Sequence, residues 1–386
     1  MSIVDVDSHW EKPKLGTPEQ RVKTLVGTVT ADLLADVPPE KRPSIDVLTP
    51  KRLVEVFGRT DGSSRITDQP GSHDIPGRLA WCDKVGIDFQ FINAGGFTGV
   101  ELAVPDPSER RAAIRRSNDM LLDELDGHAD RFAAVATVDL TDLDSAITEL
   151  ERCRARGSRA YHVRTEPPGG RSYAHPDFDR LWAATVGLGM VPYVHIGNTP
   201  SHYDPGWSNT GLGLPDAAGP QALMRLGQVA RNHSVEVMLS ALAFGGIFAR
   251  YPSLTVLVAE LGAGWLPFLL TRIDRSTDPH RPFDSDLMLG PWPHELSAGD
   301  YLRRNVRVTP LPSQADGMPT LRELPEMVVF SSDYPHIEGS ATPLDDLAGE
   351  LNALEPGVRK AFLGDTMCDV FERMGDPLPV RRGAEV

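Results

Sequence analysis

The stretch VDVDSHWEKP (residues 4–13) begins as an apolar strand and ends in acids and an imidazole. Ile3 and Val4 open a run suited to a buried strand. Along a strand, alternate residues share a face. A regular strand here sets Asp5, Asp7, His9 and Glu11 on one face, with Val4, Val6 and Ser8 on the other. A row of acids and an imidazole needs water, partners or a metal, because buried unpaired charge is costly. A solvated strand end before a Pro-rich loop explains the row as well as a metal site does. The remainder of the chain has to separate the two.

Seven further runs repeat the theme of apolar, β-rich residues closed by polar ones. They are VGIDFQFINAGG (85–96), FAAVATVDL (132–140), SRAYHVR (158–164), MVPYVHIG (190–197), SLTVLVAELG (253–262), NVRVTP (305–310) and PEMVVFSSDYPH (325–336). Helix-like segments lie between them. SERRAAIRRSNDMLLDELDGHADR precedes the third run, and 141–156 follows it, opened by a capping Thr141 and early acids. HPDFDRLWAATVGLG reads as a helix ending at Gly189. Helical patterns also cover about 219–250, 264–277, 343–353 and 356–374. Eight strands alternating with helices predict parallel βα units: an α/β fold of the (β/α)8 TIM-barrel type. An open doubly wound sheet is the rival. No G-x-G-x-x-G opens a helix after a strand and no GxxxxGK[ST] occurs, so a nucleotide-binding sheet has little support. The polar, Pro/Gly-rich stretch 11–75 is expected to be an insertion after strand one, a lid over the barrel mouth. Residues 1–386 then form a single domain, a length that suits one barrel with insertions.

The formal charge of −15 argues against nucleic acid, which demands a basic face. It leaves a small-molecule substrate open, since a basic pocket can sit in an acidic surface. Cys82, Cys153 and Cys368 form no CxxC pair, which suggests neither a disulfide framework nor a cysteine zinc site and fits a reducing cytoplasm. No basic segment precedes an apolar one at the N-terminus, and no run of about 18 apolar residues exists. Neither a signal peptide nor a membrane partner is expected.

In a (β/α)8 barrel, chemistry gathers at the C-terminal ends of the strands. Those ends carry Asp7 and His9 on strand one, Asn93 on two, Asp139 on three, His162 and Arg164 on four, and His195 on five. Glu260 stands on strand six, Thr309 on seven, and Asp333 with His336 on eight. Each has an ordinary alternative: Asp7 or Asp333 as a turn former, His195 as a core histidine, Glu260 as an arginine's partner. Together, acids and imidazoles from strands one, five and eight converge at the mouth, a mixed O/N set that suits zinc or manganese. Trp10, Trp207 and Trp292 stand on or near loops that could line a pocket.

Several stretches in order resemble the amidohydrolase superfamily, in particular the branch similar to 2-amino-3-carboxymuconate-6-semialdehyde decarboxylase. They are VDVDSH, RFAAVATVDLTDLDSAITELERCRARGSRAYHV, FDRLWAATVGLGMVPYVHIG, FARYPSLTVLVAELGAGWLPFLLTRID, VVFSSDYPHIEG and the closing LGDTMCDVF. The resemblance implies a barrel with one catalytic divalent metal, zinc first and manganese second, and a homodimer. Carried onto this chain, its ligands are Asp7, His9, His195 and Asp333. Asp7 replaces the commoner histidine, as in some aromatic-acid decarboxylases of the branch, and adds oxygen character. Glu260 stands where many relatives have a proton-transferring histidine.

The function expected on these grounds is that of a metal-dependent carboxy-lyase acting on a small carboxylated compound, aromatic or unsaturated. A metal-dependent hydrolase of an ester, lactone or amide, or a hydratase, is the alternative. A metal-free binding protein on the same barrel is a third. Asp333 and Glu260 are the expected acid–base groups. Arg164 is the expected anchor for a substrate carboxylate, because a guanidinium binds one bidentately, and His336 is expected to orient the substrate.

Overall fold

A computed structural model describes residues 2–10, 69–94, 104, 106–196, 219–277, 292–310, 317–336 and 339–380. Residues 11–68 of the expected insertion 11–75, and Trp207, lie outside them. Seven strands form one parallel sheet in chain order: β1 (Val4–Trp10), β2 (Phe89–Ala94), β3 (Phe132–Ala136), β4 (Ala160–His162), β5 (Val191–His195), β6 (Val256–Ala259) and β7 (Val306–Val308). The eighth run, expected as a strand, is an extended segment bonded to both edges of that sheet. On one side Val308 N donates to Met327 O and Val329 N donates to Val308 O. On the other, Val6 N donates to Phe330 O, Asp333 N to Asp7 O and His9 N to Tyr334 O. A sheet whose two edges bond the same segment is a closed barrel. The ladder stays incomplete because Asp333 has a left-handed backbone (φ 52°) and Pro335 has no N–H to give.

The barrel interior is filled by alternate residues of the strands, among them Val4, Val6, Phe91, Val135, Val191 and Leu257. Met367, Val370 and Phe371 of the last helix pack against this interior set. Helices cover the outside: α1 (Ile75–Val85), α2 (Pro107–Glu124), α3 (Leu143–Ala155), α4 (Asp179–Gly187), α5 (Gly219–Phe244), α6 (Ile247–Arg250) and α7 (Leu266–Thr277). The cap of α3 is Asp142, whose carboxylate accepts from Ser145 N at 3.2 Å. Thr141, expected in that place, instead donates to Asp139. Two helices, α8 (Ala298–Asn305) and α9 (Gly317–Glu323), flank β7 where the periodicity indicated none.

One irregularity positions the site. The β1–β2 register runs Val4↔Phe89, Asp5↔Gln90, then Ser8↔Ile92 and His9↔Asn93. Three steps on β1 match two on β2, so β1 carries a bulge. Beyond the bulge the alternation restarts one residue out of phase. Asp5 therefore does not share the face of Asp7. It bonds Gln90 Nε2 at 2.6 Å and Ser332 Oγ at 2.5 Å, whereas Asp7 bonds Tyr193 and Asn93. The single-face row expected for a regular strand is corrected to two sets of partners.

Candidate metal centre

The ends of β1, β5, β6 and the eighth segment meet in a buried pocket. His9 Nε2 lies 3.5 Å from Asp7 Oδ1 and 3.1 Å from Asp333 Oδ1. His195 Nε2 lies 2.7 Å from Glu260 Oε2 and 3.7 Å from Asp7 Oδ1. His336 Nδ1 lies 3.0 Å from Asp333 Oδ1, and its ring stacks on His9 with centroids 3.7 Å apart. Two overlapping sets of ligand atoms result, each with all its members within 4.8 Å: Asp7, His9, His195 and Glu260; and His9, Glu260, Asp333 and His336. Donors about 2.0–2.2 Å from a shared ion stand at most about 4.4 Å apart, and the separations of 2.7 to 3.7 Å above fall inside that limit.

Each carboxylate is aimed by local structure. Asp7 Oδ1 accepts from Tyr193 OH at 2.7 Å and from Asn93 Nδ2 at 2.9 Å, which leaves Oδ2 for another partner. Asp333 and Glu260 are the two non-glycine residues with left-handed backbone among those described, at φ 52° and 57°. That conformation costs on the order of 1–3 kcal/mol per residue and tends to persist at functional positions. Thr309 Oγ1 accepts from Glu260 N at 3.1 Å. His336 N donates to Asp333 O, and Ser340 N donates to Ser332 O. Gly339 lets that turn fold back, because a Cβ there would meet the carbonyl oxygens of Asp333 and, at 2.6 Å, Ser332.

A buried clamp holds β1 and the eighth segment together. Arg78, wholly buried on α1, donates from Nη2 to His9 O and from Nε to Gly71 O at 2.7 Å. Its guanidinium stands 5.0 Å from the Tyr334 ring centre and 5.8 Å from that of Trp10. Trp81 stacks on Tyr334 at 3.8 Å. Gly71 has φ 76°, and a Cβ on it would run into the Arg78 backbone.

The electrostatics suit a cation site. Burial pushes the Asp7 carboxyl up to about 8; His195 opposes the rise, and Asp333 and Glu260 add to it. Burial, with His336 adding to it, drives His9 down to about 3, so its imidazole is neutral, the form that binds metals. Burial also holds His162 far below the ordinary histidine range. At Asp333 burial works upward, but the His336 and His9 imidazoles, 3.0 and 3.1 Å from Oδ1, outweigh it and hold the carboxyl low. Asp7 Oδ2 and Asp333 Oδ2 are buried and accept no hydrogen bond from the described residues. Three buried carboxyl groups beside the neutral His9 imidazole, with carboxylate oxygens left over, fit a divalent ion.

Asp7, His9, His195, Glu260, Asp333 and His336 are thus brought together. Arg164 is not among the ligand atoms of the two sets; its guanidinium pairs with Glu166 at 2.6 Å. Asp139 is paired with Arg110 at 2.6 Å. Trp10 is buried in the outer core, and Trp292 packs there partly buried. Tyr193 was missed, although its place two residues before His195 on one strand gives both the same face. Arg78 carries no comparable signal, since helical spacing does not reveal a buried arginine.

A family model described as amidohydrolase matches residues 4–371, and the chain belongs to that family. It is 28% identical over 268 residues to gamma-resorcylate decarboxylase of Rhizobium radiobacter, covering 67% of this chain and 76% of the relative. Solved structures share the fold. An amidohydrolase from Mycobacterium avium subsp. paratuberculosis has a TM-score of 0.67 at 20% identity, covering 96% of this chain and 99% of the other. A dihydroxybenzoic acid decarboxylase from a Polaromonas species, solved with bound manganese and the inhibitor 2-nitroresorcinol, has a TM-score of 0.60 at 18% identity, covering 96% and 97%.

Proposed function

We propose that the protein is a metal-dependent carboxy-lyase that removes carbon dioxide from a small hydroxylated aromatic acid. The observation that carries this is the buried set of Asp7, His9, His195 and Asp333 at the barrel mouth, short of positive charge. The decarboxylases among its relatives support the reaction type. The four residues are the proposed ligands. Manganese goes ahead of zinc here, because carboxylates favour the harder, more highly coordinated ion. When bound, a divalent ion supplies a Lewis acid that draws electron density from a substrate oxygen.

The remaining work falls to the chain. Asp333, touching His9 Nε2 and His336 Nδ1 through Oδ1, is the proposed proton carrier to the ring carbon. A proton joins that carbon, the bond to the carboxylate breaks, and its electron pair returns to the ring as carbon dioxide leaves. His336 renews the proton on Asp333. Arg164, held by Glu166 through Nε and Nη2, keeps its other N–H groups for a substrate carboxylate.

The test is carbon dioxide release from a panel of hydroxybenzoates by manganese-loaded protein. Release from at least one is expected, with kcat falling by at least about 1,000-fold in Asp333→Asn and KM rising about tenfold in Arg164→Ala. Hydrolysis of aryl esters or lactones by the same preparation, with no carbon dioxide from any acid, would overturn the carboxy-lyase assignment.

A further inference from the structure

We infer that Glu260 is itself a ligand of the ion, so that the centre carries three carboxylates, Asp7, Glu260 and Asp333, beside its imidazoles. This rests on the cluster being a metal site, as proposed above, and replaces the acid–base role that position six suggests from sequence.

The first ground is placement. Of the six residues in the pocket, only His9 and Glu260 belong to both compact sets of ligand atoms. Asp7 and His195 complete one set, Asp333 and His336 the other. Glu260 is thus the one carboxylate that joins the Asp7–His195 side of the pocket to the Asp333 side. Contact is the second ground. Glu260 Oε2 is 2.7 Å from His195 Nε2, the same nitrogen that faces Asp7 Oδ1 at 3.7 Å. One nitrogen thus faces two carboxylates, and the ligand atoms of all three residues lie within 4.8 Å of one another. Backbone geometry is the third. Glu260 at φ 57° shares its left-handed conformation with Asp333, and among the described residues no other non-glycine does. Both strained residues end a barrel segment and carry a carboxylate into the same cluster, Asp333 against His9 and His336 and Glu260 against His195. Strain of this kind persists where the surroundings over-determine a position, and Thr309 bonds the Glu260 N–H there.

The consequence concerns the metal. Asp7, His9, His195, Asp333 and Glu260 exceed the four places of a tetrahedral zinc site, and three of the five donate oxygen. That set matches a five- or six-coordinate manganese ion better than zinc.

Two measurements test this on the full chain. In a crystal of the manganese-soaked protein, the anomalous peak is expected about 2.2 Å from a Glu260 carboxylate oxygen. A peak bonded to Asp7 and His195 but more than about 3 Å from Glu260 would overturn the inference while sparing the metal site. No peak at all would overturn the metal site and the inference with it. In solution, the manganese Kd, read from the electron paramagnetic resonance of the free ion, is expected to rise by more than about 100-fold both in Glu260→Gln and in Asp7→Asn. An unchanged Kd in Glu260→Gln beside a lost one in Asp7→Asn refutes the ligand role. Should Glu260→Gln fail to fold, the crystal of the unaltered chain still decides.

Discussion

At the residue scale, Asp5 and Asp7 show how two identical side chains, two positions apart, take different work. Asp5 accepts from Ser332 N and Oγ and from Gln90, and so pins the eighth segment to β1 and β2. Burial still outweighs those bonds and raises its carboxyl from 3.8 to about 6. The folded state therefore favours the protonated form. The stabilisation is complete below about pH 3.8, the unfolded value, and is lost as pH rises through about 6. A shift of that size corresponds to roughly 3 kcal/mol. Urea unfolding of the chelated protein and of Asp5→Asn at pH 4 and pH 7 measures it. The unaltered chain is expected to lose roughly that much more stability over the interval than the variant, and equal losses would refute Asp5 as the source.

At the element scale, the site depends on how β1, α1 and the eighth segment are locked. Arg78 bonds the carbonyl of His9 and packs on Tyr334, the neighbour of Asp333, so one helix holds two ligand segments in register. Arg78→Met leaves the His9 and Gly71 carbonyls without their donor. It is expected to destabilise the fold by about 3 kcal/mol and to weaken manganese binding about tenfold. The Gly339 turn makes the complementary case. A methyl group at Gly339 collides with the Ser332–Asp333 backbone, so Gly339→Ala should cost about 1–3 kcal/mol in urea unfolding. It should also loosen the metal, because Asp333 has to move. Wild-type stability with wild-type metal affinity in either variant would show that the ligand segments hold themselves.

At the scale of the whole molecule, the barrel gathers into one dry pocket three carboxylates that are far apart in sequence. Burial and mutual repulsion raise the Asp7 carboxyl there, and a bound cation would offset both. Chelation is therefore expected to lower the melting temperature, and manganese at about 100 times its Kd should restore about 3 kcal/mol. Calcium, with its longer bonds and higher coordination number, should restore less. A melting temperature indifferent to chelator and manganese would argue that the pocket is held by its own hydrogen bonds.

Much of this was legible in the chain itself. The alternation of apolar runs with helical periods indicates the barrel, and the polar residue closing each run marks the mouth, because those signals are local: period two, period 3.6, and a change from apolar to polar at a strand end. The β1 bulge was not legible. A residue inserted in a ladder shows only against the partner strand, and here it parts Asp5 from Asp7. Nor was the contact of Glu260 with His195, the commitment of Arg164 to Glu166, or the burial of Arg78 beneath His9. Each depends on which side chains meet across elements tens or hundreds of residues apart, and no periodicity within one element encodes that. Sequence thus specified which residues stand at the barrel mouth. Only the closed barrel, by burying them together with too little positive charge, made them a metal centre.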